Sequence, residues 1–165
     1  MIITVKNKDT LLIDSFKFKC SIGKKGFCKK KVEGDLTTPT GTFELGNIYY
    51  RSDRFQKPFS KLKSISIKKN MGWCDDPNSK FYNKLIKIKK NLKISYEKLY
   101  RKDHKYDFFV LIKYNYKNTI KFKGSAIFLH LTKNYSPTKG CVALCEKDFL
   151  ILAKLINKKS KIKIN

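Results

Sequence analysis

A histidine and a cysteine, His130 and Cys141, carry the most chemical information in this 165-residue chain. Ten residues separate them in the stretch His-Leu-Thr-Lys-Asn-Tyr-Ser-Pro-Thr-Lys-Gly-Cys-Val-Ala-Leu. An imidazole can take a thiol proton and the resulting sulfur can attack a carbonyl, which is the minimum equipment for acyl transfer through a thioester. The Pro-Thr-Lys-Gly turn before Cys141 is expected to hold the sulfur at a loop tip. Against this stands the plainer reading that a free cysteine is a small buried hydrophobe. The spacing alone decides nothing between the two.

The elements around the pair sharpen the expectation. His130 lies near the end of the apolar run Ser125–Leu131, and Phe108–Tyr114 is a second such run; both read as central strands buried on two faces. Phe16–Cys20, Ser64–Lys68, Leu85–Lys89 and Lys161–Asn165 alternate apolar with polar residues, the period of half-buried strands. The chain also opens with a strand-like segment. Turn signals separate these pieces at 23–26, 38–41, 75–78 and 115–119. Two segments read as helix. Residues 146–158 place Phe149, Leu152, Ala153 and Ile156 on one face, with acids first and lysines last. Residues 95–101 are a shorter candidate. The expected fold is mainly β, a sandwich or open barrel with one main helix packed against it, built as a single domain over residues 1–165. Cys141 then falls on the connection between a buried strand and a helix N-terminal region, where backbone N–H groups favour thiolate, with several intervening residues keeping that help small.

Composition narrows the setting. Hydrophobic residues at 41% support a folded core. The net charge of +25 invites a nucleic-acid reading. However, arginine appears only at positions 51, 54 and 101, and the lysines are spread along the whole chain. Nucleic acid is therefore not the expected partner, while a polyanionic substrate or envelope polymer is favoured by the charge. Five cysteines in patterns foreign to zinc sites, with two histidines, predict reduced thiols and neither metal nor cofactor. No basic segment leading into an apolar stretch opens the chain, and no run nears the roughly 18 apolar residues of a membrane span. On sequence the expected compartment is cytoplasmic, and the expected state a monomer.

With strand, histidine, turn, Gly-Cys and helix laid out, the segment resembles the signature of the L,D-transpeptidase (YkuD-type) catalytic domain. That pattern is a strand-end histidine, a variable loop, then Ser/Thr-x-Gly-Cys and an aliphatic residue. Here it reads His130, then Thr138-Lys139-Gly140-Cys141-Val142. A second hallmark, Thr-Pro-x-Gly-x-Phe, appears as Thr38-Pro39-Thr40-Gly41-Thr42-Phe43. The middle of the chain, Gly72–Pro77 with Tyr82-Asn83, is similar to a compact bacterial branch of the family.

The resemblance implies a β domain acting on peptidoglycan stem peptides. Cys141 is its nucleophile and His130 its general base, and backbone N–H groups around Gly140 and Cys141 receive the oxyanion. A backbone carbonyl, unassigned from sequence, orients the ring. Thr138 is a candidate for a hydrogen bond to substrate or within the loop. The family's common arginine two residues after the cysteine is Ala143 here, and its usual second histidine is Lys139. Lys139 is therefore a candidate replacement cation. Trp73, Asp75, Asp76 and Tyr82 are candidate cleft walls, although Asp75-Asp76-Pro77-Asn78 also suits an ordinary turn. Two rival readings remain: a hydrolase on the same scaffold, such as a carboxypeptidase or amidase, and a basic binding module whose Cys–His pair is incidental. Family members commonly act in the cell envelope, which stands against the cytoplasmic expectation.

Overall fold

The period-two runs become strands at nearly the expected places. The computed structural model describes all residues, Met1–Asn165. Its strands are β1 (Ile2–Lys6), β2 (Thr10–Ile13), β3 (Phe16–Lys19), β4 (Phe27–Cys28), β5 (Thr38–Pro39), β6 (Gly41–Tyr50), β7 (Ser64–Ser66), β8 (Met71–Cys74), β9 (Leu85–Lys87), β10 (Tyr96–Lys98), β11 (Phe108–Ile112), β12 (Phe128–Leu131), β13 (Val142–Leu144) and β14 (Lys161–Ile164). One helix, α1 (Glu146–Leu155), lies between β13 and β14. No helix is long and apolar enough to cross a membrane.

The main sheet runs β13-β12-β11-β6-β14-β1-β2-β3, with β7 paired to β6. First and last strands meet in parallel, Ile2 opposite Lys161 and Val5 opposite Ile164. Just past β3 the chain returns to the other end of the sheet. Ser21 and Ala143 exchange both backbone hydrogen bonds, at 2.9 and 2.8 Å. This bridge nearly closes the sheet into a barrel and satisfies backbone groups that an open edge would leave bare. A small sheet, β10-β8-β9, packs outside it.

Two apolar cores explain the continuous apolar runs. Alternate residues of β11 divide between them: Phe108, Val110 and Ile112 enter the larger core, whereas Phe109 and Leu111 enter the smaller one. In β12, Leu129 and Leu131 face the larger core and Phe128 the smaller. A strand with apolar cover on both sides has no polar face, so its run is unbroken. The helix adds Phe149, Leu152 and Ala153 to the larger core, carries Glu146 and Asp148 in its first turn, and has Lys154 in its last. Those charges complement its dipole.

Two expectations are corrected. Residues 95–101 hold strand β10, whose Tyr96, Glu97 and Lys98 pair with Cys74, Trp73 and Gly72. A seven-residue segment is too short to nucleate a helix unaided, and pairing to β8 decides its form. The longest strand, β6, was not visible as a periodic run because Gly46 and Asn47 interrupt it. Gly46 is required by packing: a Cβ there would lie 2.9 Å from the Leu111 side chain. The stretch 38–42 is likewise not a tight turn but the passage from β5 into β6.

Candidate active site

Strands β12 and β13 run parallel, with Leu129 opposite Val142 and His130 opposite Ala143. Cys141 precedes β13 by one residue and joins Phe128 in the smaller core. Side chains alternate across a strand, so Cys141 and His130 share one face, one strand apart and one pleat along. Both line a cavity of about 950 Å³. Cys141 is only 8% exposed and is held at the start of a strand, not at a loop tip.

The imidazole is oriented from behind. His130 Nδ1 lies 2.8 Å from the Leu131 carbonyl oxygen. A carbonyl can only accept, so Nδ1 carries the hydrogen and Nε2 is left with a free lone pair. Leu131 is thus the backbone carbonyl that sequence left unassigned. The Tyr106 ring packs edge-on against the imidazole at 5.5 Å. Burial holds the His130 pKa down, to about 4, with Lys105 and Arg101 pushing the same way, so the ring is neutral.

The thiol sits in a backbone cradle. Cys141 Sγ donates to the Ala126 carbonyl at 3.2 Å and accepts the Phe128 N–H at 3.3 Å. Burial pushes this thiol up to about 12, and Glu97 adds in the same direction. The expectation of thiolate favoured by a helix N-terminus is therefore corrected. Strand β13 separates the sulfur from α1, and desolvation outweighs the dipole. The resting pair is a neutral thiol and a neutral imidazole.

Around the sulfur the turn is tied by two threonines. Thr138 Oγ1 donates to the Cys141 carbonyl at 2.6 Å and accepts the Gly140 N–H at 3.0 Å. Thr38 Oγ1 accepts the Gly23 N–H at 2.8 Å and donates to the Gly140 carbonyl at 2.9 Å. The Thr-Pro-x-Gly hallmark is thereby fastened to the Gly-Cys turn. Gly140 has φ +144°, and a Cβ there would lie 2.8 Å from the Thr37 carbonyl oxygen, so only glycine fits. Its N–H is already engaged by Thr138, whereas the Cys141 N–H has no partner within the protein.

Other sequence candidates divide. Asp75 and the exposed Lys139 line the cavity. Asp76 does not; its carboxylate caps the Asn78 N–H in a turn. Trp73 is fully buried in the smaller core, its indole N–H donating to Asn83 Oδ1 at 2.9 Å. Tyr82 is also buried and gives its hydroxyl proton to Glu33. Cleft-wall roles for Trp73, Asp76 and Tyr82 are thus corrected: Trp73 and Tyr82 are buried behind the lining, and Asp76 belongs to a turn outside it. Arg101 and His104 also line the cavity, with Arg101 5.3 Å from the Tyr106 ring and paired to Asp103 at 2.6 Å. Ala143 is fully buried opposite His130. All five cysteines are free, and Cys145 occupies the N-cap of α1 without a side-chain cap bond.

Sequence reasoning missed Asn83, Ala126 and Lys31. Asn83 Oδ1 also accepts the Ala126 N–H at 3.0 Å, and its amide donates to the Tyr114 and Asn115 carbonyls at 3.0 and 2.7 Å. Ala126 has φ +52°, an uncommon conformation for a residue with a Cβ, and its carbonyl receives the thiol hydrogen. No local sequence signal marks either role.

Fold and site together define a mainly β domain, nearly closed into a barrel, that presents a cysteine and a histidine to one cleft. Residues 2–164 match the profile of the YkuD L,D-transpeptidase catalytic domain, and the chain belongs to that family. No curated protein sequence matches it significantly. Among solved structures it is similar to the helical cell shape determining protein Pgp2 from Campylobacter jejuni, with TM-score 0.56 and 18% identity. A lysine-to-alanine mutant of the same protein gives TM-score 0.54 and 18% identity. Each comparison covers 99% of this chain but 46% of the other, so this chain spans less than half the length of those proteins. At that identity the likeness speaks to fold.

Proposed function

We propose that the protein is a cysteine acyltransferase of the L,D-transpeptidase type, acting on peptidoglycan stem peptides, with residues 1–165 as one catalytic unit. Family membership supports the reaction class. The pairing of β1 with β14 and the Ser21–Ala143 bridge support the single unit, because both ends of the chain build the sheet that carries the site. The observation that carries the reading is the shared face of Cys141 and His130, with Nε2 free and Nδ1 anchored.

The steps follow from the neutral resting pair. Substrate enters with the carbonyl of the third stem residue, usually diaminopimelate, above Sγ. The thiol turns its hydrogen from the Ala126 carbonyl to His130 Nε2. As the S–C bond forms, that proton moves to the imidazole and the carbonyl π electrons move to oxygen. The free Cys141 N–H is the donor for this oxyanion. The C–N bond then breaks, the electrons return to carbon, and His130 passes its proton to the departing D-alanine amine. An acceptor amine attacks the thioester and loses its proton to His130, and the sulfur leaves and is reprotonated.

Incubation with a defined tetrapeptide stem, with and without an amine acceptor, tests this by mass spectrometry. The expected result is an adduct on Cys141, D-alanine release and a cross-linked product only with acceptor. Release without any cross-linked product in the presence of acceptor would assign the hydrolase instead. No adduct on the wild type, or an undiminished one in Cys141→Ser, would overturn the reading.

A further inference from the structure

Lys31 is a buried cation that the acyl-transfer steps leave unused. It is 3% exposed, yet it lines the same cavity as Cys141. Its Nζ donates to Asp35 Oδ1 at 2.6 Å and to the Thr37 carbonyl at 2.9 Å. An ammonium has three donors, so one remains unspent. Two glycines make room for this side chain. A Cβ on Gly124 would lie 2.9 Å from its Cγ, Cδ and Cε, and one on Gly140 would lie 3.4 Å from Nζ itself. The ammonium is thus delivered beside the residue that precedes the nucleophile. Its partner Asp35 also accepts the Val32 and Thr37 N–H groups, at 2.8 and 2.9 Å, so the carboxylate is shared among three nitrogen donors. Lys139, the candidate replacement cation of the sequence, is exposed on the same cavity, where water screens it.

We propose that Lys31 is the anion-binding residue of the acyl site, its third N–H taking the carboxylate of the residue that leaves when the stem peptide is cut. In such a peptide the terminal carboxylate lies one residue beyond the broken bond, within reach of a cation beside Gly140. The assignment of that carboxylate rests on the proposed transpeptidase reading; the buried cation beside Gly140 does not. The cavity also carries Arg101, Lys105, Glu33 and Glu97, so the test must isolate Lys31 from this background field.

Two measurements separate the claims. The first compares iodoacetate with iodoacetamide, an anion and its neutral analogue, by their rates of alkylating Cys141, read on the Cys141 peptide by mass spectrometry. Lys31→Met keeps the apolar stem and removes the charge. It should lower the iodoacetate-to-iodoacetamide rate ratio roughly tenfold, while Lys139→Met moves it far less. Asp35→Asn, which keeps the lysine and removes its counter-charge, should raise the ratio. A structural staple predicts the reverse: both variants harm the protein alike and leave the ratio unmoved. That outcome, with far-UV circular dichroism reporting the fold, would overturn the proposal.

The second measurement compares stem tetrapeptides ending in carboxylate and in carboxamide. Lys31→Met should reduce kcat/KM on the carboxylate form by roughly tenfold or more and scarcely alter the carboxamide form. An equal loss on both overturns the carboxylate assignment. If the wild type turns over neither peptide, the transpeptidase reading fails, and the alkylation ratio still decides whether Lys31 is an anion site.

Discussion

Cys141 Sγ donates its hydrogen to the carbonyl oxygen of Ala126, 3.2 Å away, and no hydrogen bond joins it to His130. Cys141 is therefore held as a thiol, its hydrogen engaged by a backbone carbonyl and not by the imidazole. Ala126 holds its carbonyl there through a positive φ, and Asn83 secures it by accepting the Ala126 N–H. This arrangement favours general-base chemistry over a preformed thiolate–imidazolium pair.

Alkylation should report that state directly. Burial, then Glu97, pushes the Cys141 thiol up to about 12. Since only thiolate reacts, the iodoacetamide rate at Cys141 should rise roughly tenfold per pH unit from 7 to 10 without a plateau. A plateau near pH 7 would mean a preformed ion pair.

His130 should make stability depend on acid. Its pKa is near 6.5 unfolded and about 4 folded, lowered mainly by burial. Between these values the unfolded chain binds more protons, so unfolding free energy rises with pH. The contribution is full above about pH 6.5 and is lost as pH falls through 4, on the order of 3 kcal/mol. Denaturant midpoints between pH 7 and 4 should fall, and the fall should be shallower in His130→Gln. An equal slope in both proteins would refute this.

Asn83→Ala should destabilise the chain by about 2–4 kcal/mol. It orphans the Trp73 indole, the Ala126 N–H and the Tyr114 and Asn115 carbonyls together. The same variant should change the Cys141 alkylation rate, because the carbonyl that holds the thiol is released. Thermal unfolding and the alkylation rate would read the two effects; a drop in stability with unchanged reactivity would separate Asn83 from the nucleophile.

Restoring the common family arginine should not restore anything. Ala143 is fully buried, pairs with His130 across the strands and with Ser21 across the closure. Ala143→Arg would force a long cation into that layer, so it should lower stability by several kcal/mol and reduce activity. A stable variant with higher kcat/KM would show that the substrate cation belongs at position 143 and not with Lys31.

Sequence reading reached the strands with clean periodicity and failed where packing overruled it. Phe16–Lys19 and Lys161–Ile164 alternate plainly and are strands. By contrast, β6 is broken by a glycine whose reason is the Leu111 side chain on the neighbouring strand. Residues 95–101 became a strand only because β8 offered a partner. Trp73 and Tyr82 look like cleft residues by type, and their burial could not be read locally.

What the chain determined by itself was the candidate pair Cys141 and His130 and the turn between them, because strand periodicity, a glycine and a cysteine are local signals. The tertiary structure alone decided their state and their company. Whether Cys141 is thiol or thiolate depends on desolvation by residues distant in sequence. Phe128 comes to the sulfur from β12 and Ala126 from the segment just before it, while Lys31 comes from a loop over a hundred residues away. Electric fields and solvent exclusion act through space, so no spacing along the chain encodes them.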